Sequence, residues 1–299
     1  MTNTGHMQGG AVASPAPAAA AAPSAMDRQY VNRLSIADAP QYNMRAESRS
    51  RAAREELRCV LDLPYGTSPR ERIDIFPAAQ AGAPIFCFIH GGYWRSRDKA
   101  EFSFVARPLV EAGVCVALPT YDLAPAVSIE KIVQQMLAAL AWLYRNARSH
   151  GADPRRIYLG GHSAGAHLAA LMVAAQWDVY AGDLPADLVK GALAVSGVYD
   201  LAPLLQVSFN SDLRLDAAAA HKLSPLTYRP LRATPLFTAV GGDESDEFKR
   251  QNQAIAKAWP HCWQRDIAMP GHHHLSILEA MGDADSPLAR AALDLVGPI

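Results

Sequence analysis

The sequence predicts an α/β fold, a mainly parallel sheet with helices on both faces. Short apolar runs bounded by Gly, Pro or Asp recur along the chain, and between them lie stretches with the apolar spacing of a helix. Strand and helix segments alternate, which requires crossover connections and hence parallel pairing. Of the 299 residues, 50% are hydrophobic and 19% charged, and 28 basic side chains stand against 29 acidic ones for a net charge of -1. That balance gives no cationic excess for a phosphate backbone, and no apolar run reaches the roughly 18 residues of a membrane span. Nucleic-acid and membrane partners are therefore not expected; a homodimer is left open.

Residues 1–26 are almost entirely Ala, Pro, Gly and Ser as far as Ser24-Ala25. Such a stretch cannot offset its ordering entropy and is expected to be a disordered extension. Before Arg28 it has neither the basic start nor the Leu/Val core of a secretory signal. Residues 27–299 keep a uniform composition without a second linker or internal repeat, which predicts a single domain. Within it, Ile85–Ile89, Val114–Leu118, Ile157–Leu159, Ala192–Val195, Leu236–Val240 and Trp263–Met269 are expected strands. Ser128 to about Arg148 is the clearest helix: Ile129, Ile132, Val133, Met136, Leu140, Leu143 and Tyr144 share one face, Ser128 suits the N-cap, and Gly151 follows the end. Cys59, Cys87, Cys115 and Cys262 show no CxxC spacing, so no disulfide framework is expected and a reducing, cytoplasmic setting is the default.

Chemistry in such a fold belongs at the carboxyl ends of the strands. Directly after the Ile157 strand comes Gly161-His162-Ser163-Ala164-Gly165, followed by a small-residue helix from His167 to Ala175. This is G-x-S-x-G in its strand, turn, helix context, where Ser163 is a candidate nucleophile at the positive end of a helix. Short of that context it is also the pattern of a plain glycine-rich turn. A serine hydroxyl needs a base. Gly271-His272-His273-His274 follows the Trp263 strand and precedes a helix start at Leu275–Leu278, the place for the last member of a Ser, acid, His order, and His274 is nearest that helix. A metal site is the rival reading of the three histidines, but neighbours in a loop rarely converge on one ion and no ligand set of regular spacing supports them. The acid should follow Leu236–Val240, where Asp243 and Glu244 compete; Asp246 and Glu247 suit the first turn of the next helix. Finally, His90-Gly91-Gly92-Tyr93-Trp94 follows the Ile85 strand, and its glycines can offer consecutive N–H groups to an oxyanion.

These pieces together resemble an α/β-hydrolase of the esterase and lipase group, and more narrowly the kynurenine formamidase (arylformamidase) family. His90-Gly91-Gly92-Tyr93-Trp94 resembles that family's HGGYW, Tyr121-Asp122-Leu123-Ala124-Pro125 its YD-[LI]-AP, and His274-Leu275-Ser276-Ile277 its H-F-x-[IV]. Glu244-Ser245-Asp246-Glu247-Phe248 with Arg250-Gln251 is similar to D-S-P-E-F-x-R-Q, and Tyr65-Gly66 with Ile73–Phe76 to the approach to the first core strands. The likeness runs from about Tyr30 to the end. It departs from the pattern at one position that matters: the resemblance places Glu244, rather than Asp243, at the triad acid, where the family has Asp.

The resemblance implies attack by Ser163 with His274 as base, an oxyanion hole from the N–H groups of Gly91, Gly92 and Ala164, and hydrolysis of N-formyl-L-kynurenine to kynurenine and formate. Tyr93 and Trp94 would close a small acyl pocket or stack on the aryl ring, with His162 beside them, and core packing is the competing reading of the two aromatics. No metal and no organic cofactor are implied. The alternatives are a carboxylesterase for short acyl or aryl esters, served by the same residues, and a hydrolase fold retained for binding, which predicts a missing triad position.

Overall fold

Strands built from Ile, Val, Phe and Ala with few polar interruptions must be covered on both faces, and the sheet meets that requirement. In the computed structural model, which describes Met1 and residues 22–298, eight strands form one sheet. They are β1 (Val60–Pro64), β2 (Arg72–Phe76), β3 (Ala83–Ile89), β4 (Cys115–Pro119), β5 (Ala152–His162), β6 (Val189–Val195), β7 (Leu236–Gly241) and β8 (Trp263–Met269). The order is β1-β2-β4-β3-β5-β6-β7-β8, with β1 and β2 antiparallel and β3 through β8 parallel. All seven residues of β3 and all five of β4 are buried.

One face packs α4 (Ile129–Asn146), α5 (Ala164–Ala174) and the helix Asp246–Ala258; the other packs α3 (Ala106–Glu111) and the helix Pro287–Val296. α4 matches its sequence pattern: the Ser128 hydroxyl caps it by accepting from the Lys131 N–H at 3.2 Å, and Gly151 closes the segment at φ +78°. α5 has no polar face, because it lies beneath the centre of the sheet with every residue from Ala164 to Val173 buried. β5 is much longer than Ile157–Leu159, since Gly160 and Gly161 continue the strand. A Cβ on Gly160 would stand 2.4 Å from the Phe86 ring, so the bare backbone lets that ring lie across the strand.

Three elements carry little periodic signal. β1 is mostly exposed at the sheet edge. β2 places Asp74 in the interior, where it accepts from Arg54 at 2.5 Å and pairs with Lys99 at 3.0 Å. α2 (Ala39–Glu56) buries only Ser50 and Ala53 and docks through arginines: Arg54 also reaches Ser103, and Arg49 donates to the carbonyl oxygens of Glu279 and Gly282.

The extension expected over 1–26 falls, for residues 2–21, outside the described residues. Its last positions need correcting, because Ser24 caps α1 (Ala25–Tyr30) in a reciprocal box with Asp27. Asp27 is held there: it accepts from Ser24 N–H and from Ser208 N–H, and the latter bond leads the effects that lower its carboxyl to about 2. The four cysteines are free. Among the described residues no helix is long and apolar enough to cross a membrane.

Candidate active site

The turn from β5 into α5 is forced by two glycines. A Cβ on Gly161 would lie 2.3 Å from the Gly165 carbonyl oxygen, and one on Gly165 only 1.9 Å from that of Ile89. No side chain larger than hydrogen fits either place, so strand, turn and helix close on one another and push Ser163 to φ 56°, ψ -121°. Strain of this kind persists only where packing over-determines it. Ser163 N–H bonds the Val195 carbonyl at 2.9 Å, and its hydroxyl, without a hydrogen-bond partner among the described residues, faces a cavity of about 440 Å³.

His274 lines the same cavity, from the loop after β8. Its Nδ1 lies 2.7 Å from Glu244 Oε2, and both side chains are almost wholly removed from solvent. Asp243, by contrast, is exposed. A tight turn separates these neighbours: Glu244 N–H returns to the Gly241 carbonyl at 3.1 Å, which turns the Glu244 side chain inward. Its second oxygen accepts from Gly241 N–H at 2.8 Å and from the Ser196 hydroxyl at 2.5 Å. A Cβ on Gly241 would meet the His272 carbonyl at 2.1 Å, so glycine there lets the acid loop lie against the histidine loop. His272 and His273 do not share the arrangement; the His273 ring accepts the backbone N–H groups of Leu275 and Ser276.

His162 acts on His274 through the backbone: its Nε2 bonds the His274 carbonyl at 2.9 Å, with the two rings 4.5 Å apart. Burial, reinforced by the neighbouring imidazole, drives its pKa well below the ordinary value and keeps it neutral. It is then an Nε2–H donor, a tautomer that follows from the carbonyl it faces. Phe248 packs the other side of the His274 ring at 4.4 Å.

The glycine loop after β3 is held from below. His90 is stacked between Tyr121 at 4.4 Å and Phe102 at 5.7 Å, bonds Thr120 through Nε2 at 3.0 Å, and receives the Tyr121 hydroxyl on its carbonyl at 2.8 Å. Burial lowers its pKa to about 4. Above it, a Cβ on Gly91 would stand 2.7 Å from the His162 carbonyl and 3.0 Å from Ser163 Cβ, which places this loop directly beside the serine. Among the described residues, no hydrogen bond occupies the N–H of Gly91 or Gly92. Ala164, at the first position of α5, adds an N–H at the same helix end.

Gly92, Tyr93 and Trp94 follow with φ of +106°, 49° and 56°. This left-handed run sends the two aromatic side chains apart. Tyr93 lines the cavity, packs Phe209 at 4.5 Å and donates its hydroxyl to the Tyr30 carbonyl at 2.6 Å. Trp94 needs correcting: it has no exposure and sits in the core edge-on to His167 at 4.9 Å, so it does not line the cavity.

Sequence reasoning missed the opposite wall. Val31, Asn32, Arg33, Ala39 and Asn43, between α1 and the first turns of α2, line the cavity, as do Ser208, Phe209 and Ser211. It also missed Ser196, whose signal was a serine immediately past the carboxyl end of β6. Ser196→Ala leaves one Glu244 oxygen with a single partner, and kcat is expected to fall about tenfold with KM little changed, the order of one charge-assisted hydrogen bond. Steady-state kinetics on any substrate turned over will check this, and an unchanged kcat would show that Gly241 suffices to hold the acid.

This sheet, with a serine on a strained turn and a histidine–carboxylate pair at the carboxyl ends of its parallel strands, defines an enzyme of the α/β-hydrolase class, and it is an esterase-type hydrolase. The family described as BD-FAE matches residues 73–254, and the chain belongs to it. Over 280 residues the chain is 31% identical to the kynurenine formamidase of Salmo salar, covering 90% of this chain and 93% of that one. The kynurenine formamidase of Danio rerio is 30% identical over 84% of this chain and 86% of its own. Among solved structures, a protein of Silicibacter sp. assigned as a thioesterase superimposes with a TM-score of 0.80 at 30% identity, covering 89% of this chain and 98% of that one.

Proposed function

We propose that Ser163, His274 and Glu244 act as a nucleophile, base and acid triad that hydrolyses N-formyl-L-kynurenine to kynurenine and formate. The observation that supports the chemistry best is the His274–Glu244 bond at 2.7 Å, made behind the cavity that His274 and Ser163 both line. The choice of substrate is supported by the likeness to kynurenine formamidases over nine-tenths of the chain.

In this reading Glu244 accepts Nδ1–H and leaves His274 Nε2 basic. Ser163 Oγ attacks the formyl carbon as His274 takes its proton. The oxyanion receives the N–H groups of Gly91, Gly92 and Ala164, where removal of one donor typically costs about 3 to 4 kcal/mol of transition-state stabilisation. His274 then protonates the departing aryl amine, leaving a formyl ester on Ser163. Water, deprotonated by the same imidazole, releases formate and restores the hydroxyl. The close approach of Gly91 to Ser163 suits a small acyl group, and the roughly 440 Å³ beyond it is the size of a small-ligand pocket.

A carboxylesterase reading uses the same steps on short acyl or aryl esters, and is favoured by the esterase-type class of the fold. Turnover of N-formyl-L-kynurenine, measured beside aryl esters of increasing acyl length, separates the two. Formamide cleavage with an efficiency at or above that of the acetyl esters is expected; ester cleavage with negligible formamide turnover would replace the proposal with the alternative.

A further inference from the structure

The charge of the cavity wall is lopsided. Three arginines line it, Arg33, Arg95 and Arg97, and no Asp or Glu is among its lining residues. Two of the three are already engaged. Arg95 is ion-paired with Asp212 and lies over the Phe209 ring at 5.2 Å. Arg97 bonds Glu101 at 2.7 Å and Asn43 at 2.5 Å. Arg95 and Arg97 are thus neutralised within their own pairs, and His162, neutral through burial, adds no charge. The remaining charge is that of Arg33, in the short 3-10 helix Asn32–Leu34, exposed and without a carboxylate partner among the described residues. A guanidinium stays charged throughout the neutral range and presents a planar fork that matches a carboxylate.

We propose that Arg33 is a specificity residue of the cavity, the group that receives a carboxylate carried on the leaving-group side of the scissile bond. The leaving-group assignment rests on the formamidase reading above, because there the acyl side is a formyl group against Gly91, and only the departing portion extends toward the Arg33 wall. The fixed pairs of Arg95 and Arg97 keep the wall in place, while Arg33 is available to a ligand. The same lining contains no anion for an ammonium group, so recognition depends on the carboxylate. Arg33 is in this view a specificity residue. It touches the substrate remote from the reacting atoms and acts on KM, not on kcat.

Binding tests this without depending on turnover. The probes are 4-(2-aminophenyl)-4-oxobutanoate, an aryl amine bearing a carboxylate, and its neutral carboxamide, titrated calorimetrically into the full-length protein. The carboxylate is expected to bind about tenfold more tightly, the size of a charge-assisted hydrogen bond at a partly exposed site. Arg33→Gln should remove that difference by weakening the carboxylate far more than the carboxamide, with its melting temperature reporting that it remains folded. Raising the salt from about 0.01 M to about 1 M should shrink the preference as the screening length falls from about 30 to about 3 Å. Equal affinity for the two probes, no binding of either, or an equal loss of both in Arg33→Gln would overturn the inference. A carboxylate preference in a protein that does not cleave formamides would retire the formamidase reading alone; formamide turnover without the preference would retire only the role of Arg33.

Discussion

Glu244→Gln is expected to lower kcat by about 10⁴-fold while Asp243→Asn leaves it within about a factor of two. The amide keeps the shape of the carboxylate but can present Nε2–H₂ to His274 Nδ1, which favours the tautomer that carries its proton on Nε2. That nitrogen then no longer accepts the Ser163 proton, and the positive charge on the imidazole loses its counter-ion. Two further effects act the same way: Gly241 N–H and the Ser196 hydroxyl both donate to Glu244 Oε1, and a neutral oxygen accepts more weakly than an ionised one. Asp243 touches none of these groups and is exposed. Ser163→Ala should cost more, on the order of 10⁶-fold, and Ser163→Ala combined with Glu244→Gln no more than Ser163→Ala alone, because members of a triad act as a unit. Kinetics on whichever of the formamide or aryl esters is turned over supply all four values. A Glu244→Gln enzyme with near-normal kcat would transfer the acid role elsewhere, and additive losses in the double variant would mean that Glu244 acts outside the triad.

Why Glu244 and not its neighbour could be chosen only through resemblance is a matter of local geometry. Both residues follow a buried strand and a pair of glycines, and both are carboxylates; the turn that closes on Gly241 decides which one points inward, and no periodicity encodes it. The same limit applies to Trp94. An aromatic after a glycine pair reads equally well as a pocket wall or as core, and the three successive positive φ values at Gly92, Tyr93 and Trp94 settle the matter by rotating one ring to the cavity and the other inward. The elbow was legible because its constraint is steric and local: Gly161 and Gly165 admit no Cβ, and the strand and helix around them are strongly apolar. The wall from Val31 to Asn43 was not, because α1 spans six residues and α2 docks by Arg45, Arg49 and Arg54 where an apolar stripe would have announced a helix. Sequence patterns report burial, and a surface wall held by ion pairs and capping boxes leaves little trace in them. The rim that would read a substrate is thus the least legible part of the site, while the turn that would attack it is the most legible.

Stability should fall steeply between pH 6.5 and 4, and three buried imidazoles set the sign. Burial lowers His90 and His167 from the ordinary 6.5 to about 4, and His162 is likewise held well below its ordinary value. In the unfolded chain each ring takes up a proton below about pH 6.5, whereas in the folded protein His90 and His167 resist until about pH 4. Between those limits the unfolded state binds more protons, so stability is complete above the unfolded pKa and is lost as the pH drops through the window. The loss approaches about 3 kcal/mol for each of His90 and His167, against a total of about 5 to 15 kcal/mol for a typical domain. Asp27, lowered from 3.8 to about 2, adds a loss of the same sign only at more acid pH. His167 isolates the effect. Its Nε2 bonds the Leu223 carbonyl at 2.8 Å, and its Nδ1 is buried without a partner beside Trp94, so a second proton would place an unpaired charge in the core. His167→Gln can keep a donor toward Leu223 while removing the titration. Its melting temperature should be lower than wild type at pH 7.5, by the equivalent of about 1 to 2 kcal/mol, yet change less between pH 6.5 and 4.5. Thermal unfolding of both proteins across that range is the measurement; a wild-type melting temperature that does not move with pH, or a variant whose pH dependence parallels wild type, would show that these rings do not carry the acid lability.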